Sequence, residues 1–131
     1  MEHNYIAIEE KEGLNRLVLF QKDNNLDGKD NLDMLPESPA VYAVCGRVNG
    51  KPANPRYIDA TENLRQSVRM HFDRSQSAAN ECFREFMLSI KTKELVFKMM
   101  PGTSEEERAA VREEWEKQYK PECNKELNEI H

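Results

Sequence analysis

Residues 39–45, PAVYAVC, and residues 56–65, RYIDATENLR, decide the fold. The first carries Val41, Tyr42 and Val44 among small residues. β-Branched and aromatic side chains suit a pleated surface, so a strand is expected over Ala40–Cys45. Asn49-Gly50 marks a turn. Arg56–Ala60 reads as a second strand, and the two are expected to form a hairpin with a long loop. Thr61 is the expected cap of the next helix. Leu64, Val68, His71 and Phe72 then recur at helical spacing.

Toward the C-terminus, Ala79, Cys82, Phe83, Phe86, Met87 and Ile90 form an i, i+3, i+4, i+7 stripe, which predicts a second helix facing the core. Residues 95–100, LVFKMM, suit a third strand. Ser104 with Glu107 makes a capping box. It opens a helix running to about Lys120, with Val111, Trp115 and Tyr119 on one face and Pro121 ending it. The order β-β-α-α-β-α is that of an α+β domain.

Toward the N-terminus, residues 21–38, QKDNNLDGKDNLDMLPES, are polar and read as a loop. Ahead of it, Asn4–Glu9 suits a short strand. Residues 14–20 fit either a helix, through Leu14, Leu17 and Val18, or a strand over Arg16–Phe20. The stretch from Asp23 to Gly28 matches the first half of a calcium loop, but Met34 stands where a bidentate Glu is required. It therefore reads as a turn-rich polar loop.

The chain has 131 residues, enough for one domain, and is 38% hydrophobic, enough for one core. No apolar run approaches the ~18 residues of a membrane-spanning helix. No secretory leader is read in the first residues, so a cytoplasmic location is expected. Net charge is -5, against the basic excess usual for non-specific nucleic-acid binding. The charge is uneven: residues 47–69 carry five bases against two acids, and residues 105–116 carry six acids against two bases. Cys45, Cys82 and Cys123 show neither a CxxC pair nor zinc spacing. Their odd number argues against a disulfide framework, so three reduced thiols are expected. Ser67 and His71 lie one helical turn apart, as a nucleophile and base would, but no orienting acid accompanies them.

Residues 39–44, residues 56–65 and residues 119–124 (YKPECN) together resemble the GIY-YIG nuclease domain family. That family pairs strands carrying G-I-Y and Y-I-G triplets, starts the next helix with T-x-N-L and closes on K-P-x-x-N. The resemblance spans about residues 35–125. It implies a GIY-YIG-like α+β domain over residues 35–131. Its small, mainly antiparallel three-stranded sheet would be flanked by helices, and residues 1–34 would form an N-terminal extension and polar loop. The family cleft implies Tyr42, Tyr57, His71 and Asn124 as catalytic candidates. There a tyrosine helps deprotonate the attacking water, an Arg stabilises the phosphate and a Glu binds a divalent ion.

The departures fall at the charged positions. Ser67 stands where the family has its Arg, with Arg65 and Arg69 about 200° away round the helix. Arg112 stands where the family has its Glu. Glu116, about one turn on, is the first replacement candidate for a metal ligand, and Asp59, in place of a triplet glycine, is the second. Glu113 and Glu114 point elsewhere. Two readings follow. One is a non-catalytic or weakly catalytic module binding nucleic acid (DNA or RNA) or protein; nucleic acid would be held through Lys51, Arg56, Arg65 and Arg69. The other is an active Mg²⁺- or Mn²⁺-dependent endonuclease with a rearranged site.

Overall fold

The computed structural model describes residues 13–19, 31–72, 81–89 and 92–124. Their elements are β1 (Asn15–Leu19), a 3-10 turn (Leu32–Met34), β2 (Ala40–Val48), β3 (Lys51–Thr61), α1 (Leu64–His71), α2 (Glu81–Leu88), β4 (Lys93–Met99) and α3 (Glu105–Tyr119). The fold is α+β, with one antiparallel sheet in the order β1-β4-β2-β3. The expected strand Asn4–Glu9 and the calcium-like stretch Asp23–Gly28 lie outside the described residues.

The sheet has four strands where the sequence predicts three. The additional strand, β1, resolves the ambiguity of residues 14–20 in favour of extended structure. It pairs with β4 in the register Leu17 to Leu95. A carboxylate reinforces the pairing: Glu94 is fully buried on β4, and Arg16 Nε of β1 donates to its Oε1 at 2.8 Å. Burial of a carboxylate requires such a partner.

The hairpin has no long loop. β2 continues to Val48 and β3 starts at Lys51, so the connection is Asn49-Gly50 alone, both residues at positive φ (53° and 76°). That geometry follows the right-handed twist of the strands. The polar composition of residues 46–55 disguised the extension. Pro52 and Pro55 are accommodated because β3 is an edge strand. Shifts of register beside Cys45 put Asn54 and Arg56 at β-bulge positions, between the residues that pair one to one with β2.

Alternation along β2 sends Tyr42 and Val44 to one face and Val41, Ala43 and Cys45 to the other. On the first face, Leu64 and Val68 of α1 and Phe83, Phe86 and Met87 of α2 complete a core. On the second, Val111, Trp115 and Tyr119 of α3 do so with Ile58 and Val96. The helices thus form two layers around the sheet.

The helix ends follow local chemistry. Asn63, not Thr61, caps α1: its side chain accepts from Gln66 N, while Thr61 Oγ1 accepts from Asn63 N. Thr61 instead closes a turn onto the amide two residues on, and the helix starts after it. The Ser104–Glu107 capping box is present at α3, and Lys120 ends that helix in the left-handed conformation at φ 47° ahead of Pro121.

Candidate functional site

Tyr42 of β2, Tyr57 of β3 and His71 at the end of α1 converge on the face covered by α1 and α2. Tyr42 Oη and His71 Nε2 are 2.7 Å apart and share a hydrogen bond. Tyr57 meets His71 edge-on, with ring centroids 5.6 Å apart. Phe83, which the sequence placed only among core residues, stacks on Tyr57 at 4.4 Å and meets His71 edge-on at 4.8 Å. Such stacked and T-shaped contacts fix ring orientation.

Burial sets the protonation of this cluster. It pushes His71 down to about 4, against a smaller upward pull from Asp59. The phenols of Tyr42 and Tyr57 are both pushed up, by burial first and by Asp59 second. At neutral pH the imidazole and both phenols are therefore uncharged.

Asp59 stands two residues beyond Tyr57 on the same strand face. Its Oδ2 accepts from Tyr57 Oη at 3.0 Å and its Oδ1 accepts from Ala60 N at 2.8 Å. Arg112 of α3 reaches it, with Nη1 3.7 Å from Oδ1, and holds Glu116 Oε1 at 3.1 Å from Nε. Glu116 thus pairs with Arg112, and burial pushes its carboxyl up while Arg112 opposes the shift.

A divalent ion needs hard oxygen ligands left available to it. Here a guanidinium already lies within ion-pair reach of both candidate carboxylates, Asp59 and Glu116. Among the described residues, no three His, Cys, Asp or Glu side chains are placed to hold a metal ion. Arg112 therefore competes with a divalent ion for these two carboxylates.

Asn124 does not open into the cluster. It is buried, and its side chain clamps the backbone of Ile58, accepting from the amide at 2.8 Å and donating to the carbonyl at 2.9 Å. Ser67 Oγ is 2.5 Å from Thr61 Oγ1, so its hydrogen bond runs to the end of β3.

The four candidate cations fall into two sets. Arg65 and Arg69 face the 3-10 turn: Arg65 pairs with Glu37 at 2.8 Å and donates to Leu35 O, and Arg69 pairs with Asp33. Lys51 and Arg56 lie on β3 toward the hairpin turn. Arg56 sits over the Phe86 ring, 5.0 Å from its centroid, and pairs with Glu122 at 2.7 Å. A groove of about 640 Å³ opens there, lined by Arg47, Asn54, Arg56, Phe86 and Thr92 among others.

The thiols depart from expectation. Cys82 and Cys123 form a disulfide, and Cys45 alone is a buried free thiol. Spacing along the chain concealed the pairing, because the two cysteines are 41 residues apart and only the fold brings α2 and the segment after α3 together.

No protein-family model matches the chain, and no curated protein matches it. Solved structures similar to it include the GIY-YIG N-terminal endonuclease domain of UvrC from Thermotoga maritima, in two tyrosine-to-phenylalanine point mutants bound to the catalytic divalent cation. Identity is 20% in both cases, over 70% of this chain and 88% of that one, with TM-scores of 0.48 and 0.45. No helix among the described residues is long and apolar enough to cross a membrane.

Proposed function

We propose that the chain is a divergent GIY-YIG-like domain that binds nucleic acid without cutting it at an appreciable rate. The observation that carries this reading is Arg112 lying between Asp59 and Glu116. The position that the family gives to a metal-binding Glu holds a cation, and the neighbouring acids are engaged by it. Ser67, at the family's Arg position, is hydrogen-bonded to Thr61 and brings no charge to a phosphate. Tyr42, Tyr57 and His71, at the positions the resemblance gives to the family cleft, form a buried aromatic cluster whose own titratable rings are uncharged.

The groove beside Arg47 and Arg56 supports the binding half of the proposal. Cations that follow a phosphate backbone, next to an aromatic ring, are the usual elements of single-strand recognition. Lys51 lies on the same strand end.

The test has two arms. In plasmid nicking with Mg²⁺ or Mn²⁺, no cleavage above the buffer control is expected. Loss of one electrostatic contributor to a transition state lowers the rate by ~10²–10³, and two are absent here. Cleavage that disappears in Tyr57→Phe would instead establish an active endonuclease. In oligonucleotide anisotropy, affinity should fall with salt, and Lys51→Ala with Arg56→Ala should reduce the logarithmic salt slope by up to ~2. An unchanged slope and affinity in that double variant would remove the groove from the proposal.

A further inference from the structure

Cys82 and Cys123 are joined across a sequence separation of 41, with Cα atoms 5.3 Å apart. The bond ties together two segments that contact Tyr57 or its chain neighbours. Cys82 is followed by Phe83, the ring stacked on Tyr57. Cys123 is followed by Asn124, which clamps both backbone groups of Ile58, and Cys123 N donates to Arg56 O at 2.7 Å. Arg56 and Ile58 are the two chain neighbours of Tyr57. Residues 121–124 belong to no strand of the sheet; these contacts and the Arg56–Glu122 ion pair lay them along β3.

We propose that Cys82–Cys123 is a redox-modification site, a reversible disulfide whose closed form fixes the segments packed around Tyr57. Its reduction frees residues 121–124 to leave the edge of β3. This inference does not depend on nucleic-acid binding. Cys82 is half-buried and Cys123 fully buried, so a low-molecular-weight disulfide reaches Cys82 first. The Cys82 thiolate attacks one sulfur of that oxidant, forms a mixed disulfide and releases one thiol. The Cys123 thiolate then displaces the second thiol and closes the protein bond. The two protein thiols give up two electrons and two protons, and the oxidant takes them up as two thiols. Cys45 stays outside the exchange: it is buried in the core on the opposite sheet face, where burial pushes its thiol up.

The experiment equilibrates the full chain in glutathione buffers of graded oxidised-to-reduced ratio and then alkylates the free thiols. Cys82 and Cys123 should become protected together and appear in one cross-linked peptide, with Cys45 remaining a thiol. Hydrogen exchange at the Ile58 amide should be at least about tenfold slower in the oxidised than in the reduced wild type, as a cross-link raises the free energy of local opening. Cys123→Ser should show neither response. The wild-type comparison stands even if that variant folds poorly. Three results each overturn the proposal: no Cys82–Cys123 peptide at any ratio, a bond that stays closed in fully reduced glutathione, or equal Ile58 exchange in the two redox states.

Discussion

Beneath α1 and α2, Tyr42, His71, Tyr57 and Phe83 form an aromatic half of the candidate site; Asp59, with Arg112 and Glu116 of α3, forms an ionic half. Tyr57 belongs to both, since its ring stacks in the first and its hydroxyl donates into the second. In the aromatic half, removal from water opposes ionisation of every titratable ring, and Tyr42 and His71 satisfy each other. In the ionic half, the guanidinium is still partly in water and can face two carboxylates without full desolvation. The difference teaches that shape and charge are held by separate residues. The aromatic half is fixed by packing, so it should matter most to stability; the ionic half should matter most to what binds beside it.

Phe83→Ala tests that division most severely. Phe83 is fully buried and contacts both Tyr57 and His71. Deleting a buried phenyl ring typically costs about 3–5 kcal/mol, through lost burial and the cavity left behind. Urea unfolding should show a loss of that size. A loss under ~1 kcal/mol would mean that the ring cluster is not a packed unit.

Titration of His71 gives a smaller effect of known sign. Its pKa is about 4 in the fold against 6.5 ordinarily, so the unfolded chain takes up the proton first as pH falls. The stabilisation is complete above pH 6.5, declines as pH falls toward about 4, and is flat below that. A shift of this size corresponds to about 3 kcal/mol. Urea midpoints across this range, compared between wild type and His71→Gln, isolate the contribution from that of other groups. The wild-type curve should be the steeper one, and parallel curves would show that His71 titrates normally.

These expectations rest on residues that were unequally legible in the sequence. Tyr42, Tyr57 and His71 could be aligned from triplets and a helix start, because period and spacing carry backbone geometry. The capping box of α3 and the stripe of α2 were legible for the same reason. β1 was not: five residues with two leucines and a valine fit either period, and what settles them is the distant Glu94 accepting from Arg16. The hairpin was read too short because Gly46, Asn49, Pro52 and Pro55 look like loop residues until the edge position of β3 is known. Phe83 looked like ordinary core because its stacking partner is 26 residues away in sequence. The Cys82–Cys123 bond and the Arg112 bridge were hidden likewise. Each depends on which elements flank the edge of β3, and composition does not encode that.

Arg112→Gln gives the smallest stability change and sharpens the comparison from the ionic side. The Arg112 side chain is 41% exposed, so its pairing with Asp59 and Glu116 is screened by water. Exposed ion pairs contribute about 0–1 kcal/mol, and the urea midpoint should shift by no more than that. The electrostatic consequence is larger than the energetic one. Without the guanidinium, Asp59 and Glu116 face each other uncompensated, and a hard divalent ion can use such oxygens with water completing its shell. Mn²⁺ titration should therefore broaden the backbone signals of residues 59 and 116 at lower metal concentration in Arg112→Gln than in wild type. The conservative Arg112→Lys variant keeps the charge and should behave as wild type toward Mn²⁺. If all three proteins respond alike, the cation is not what governs metal access. A stability loss of several kcal/mol in Arg112→Gln would show that this half is also held by burial, and the contrast between the two halves would not stand.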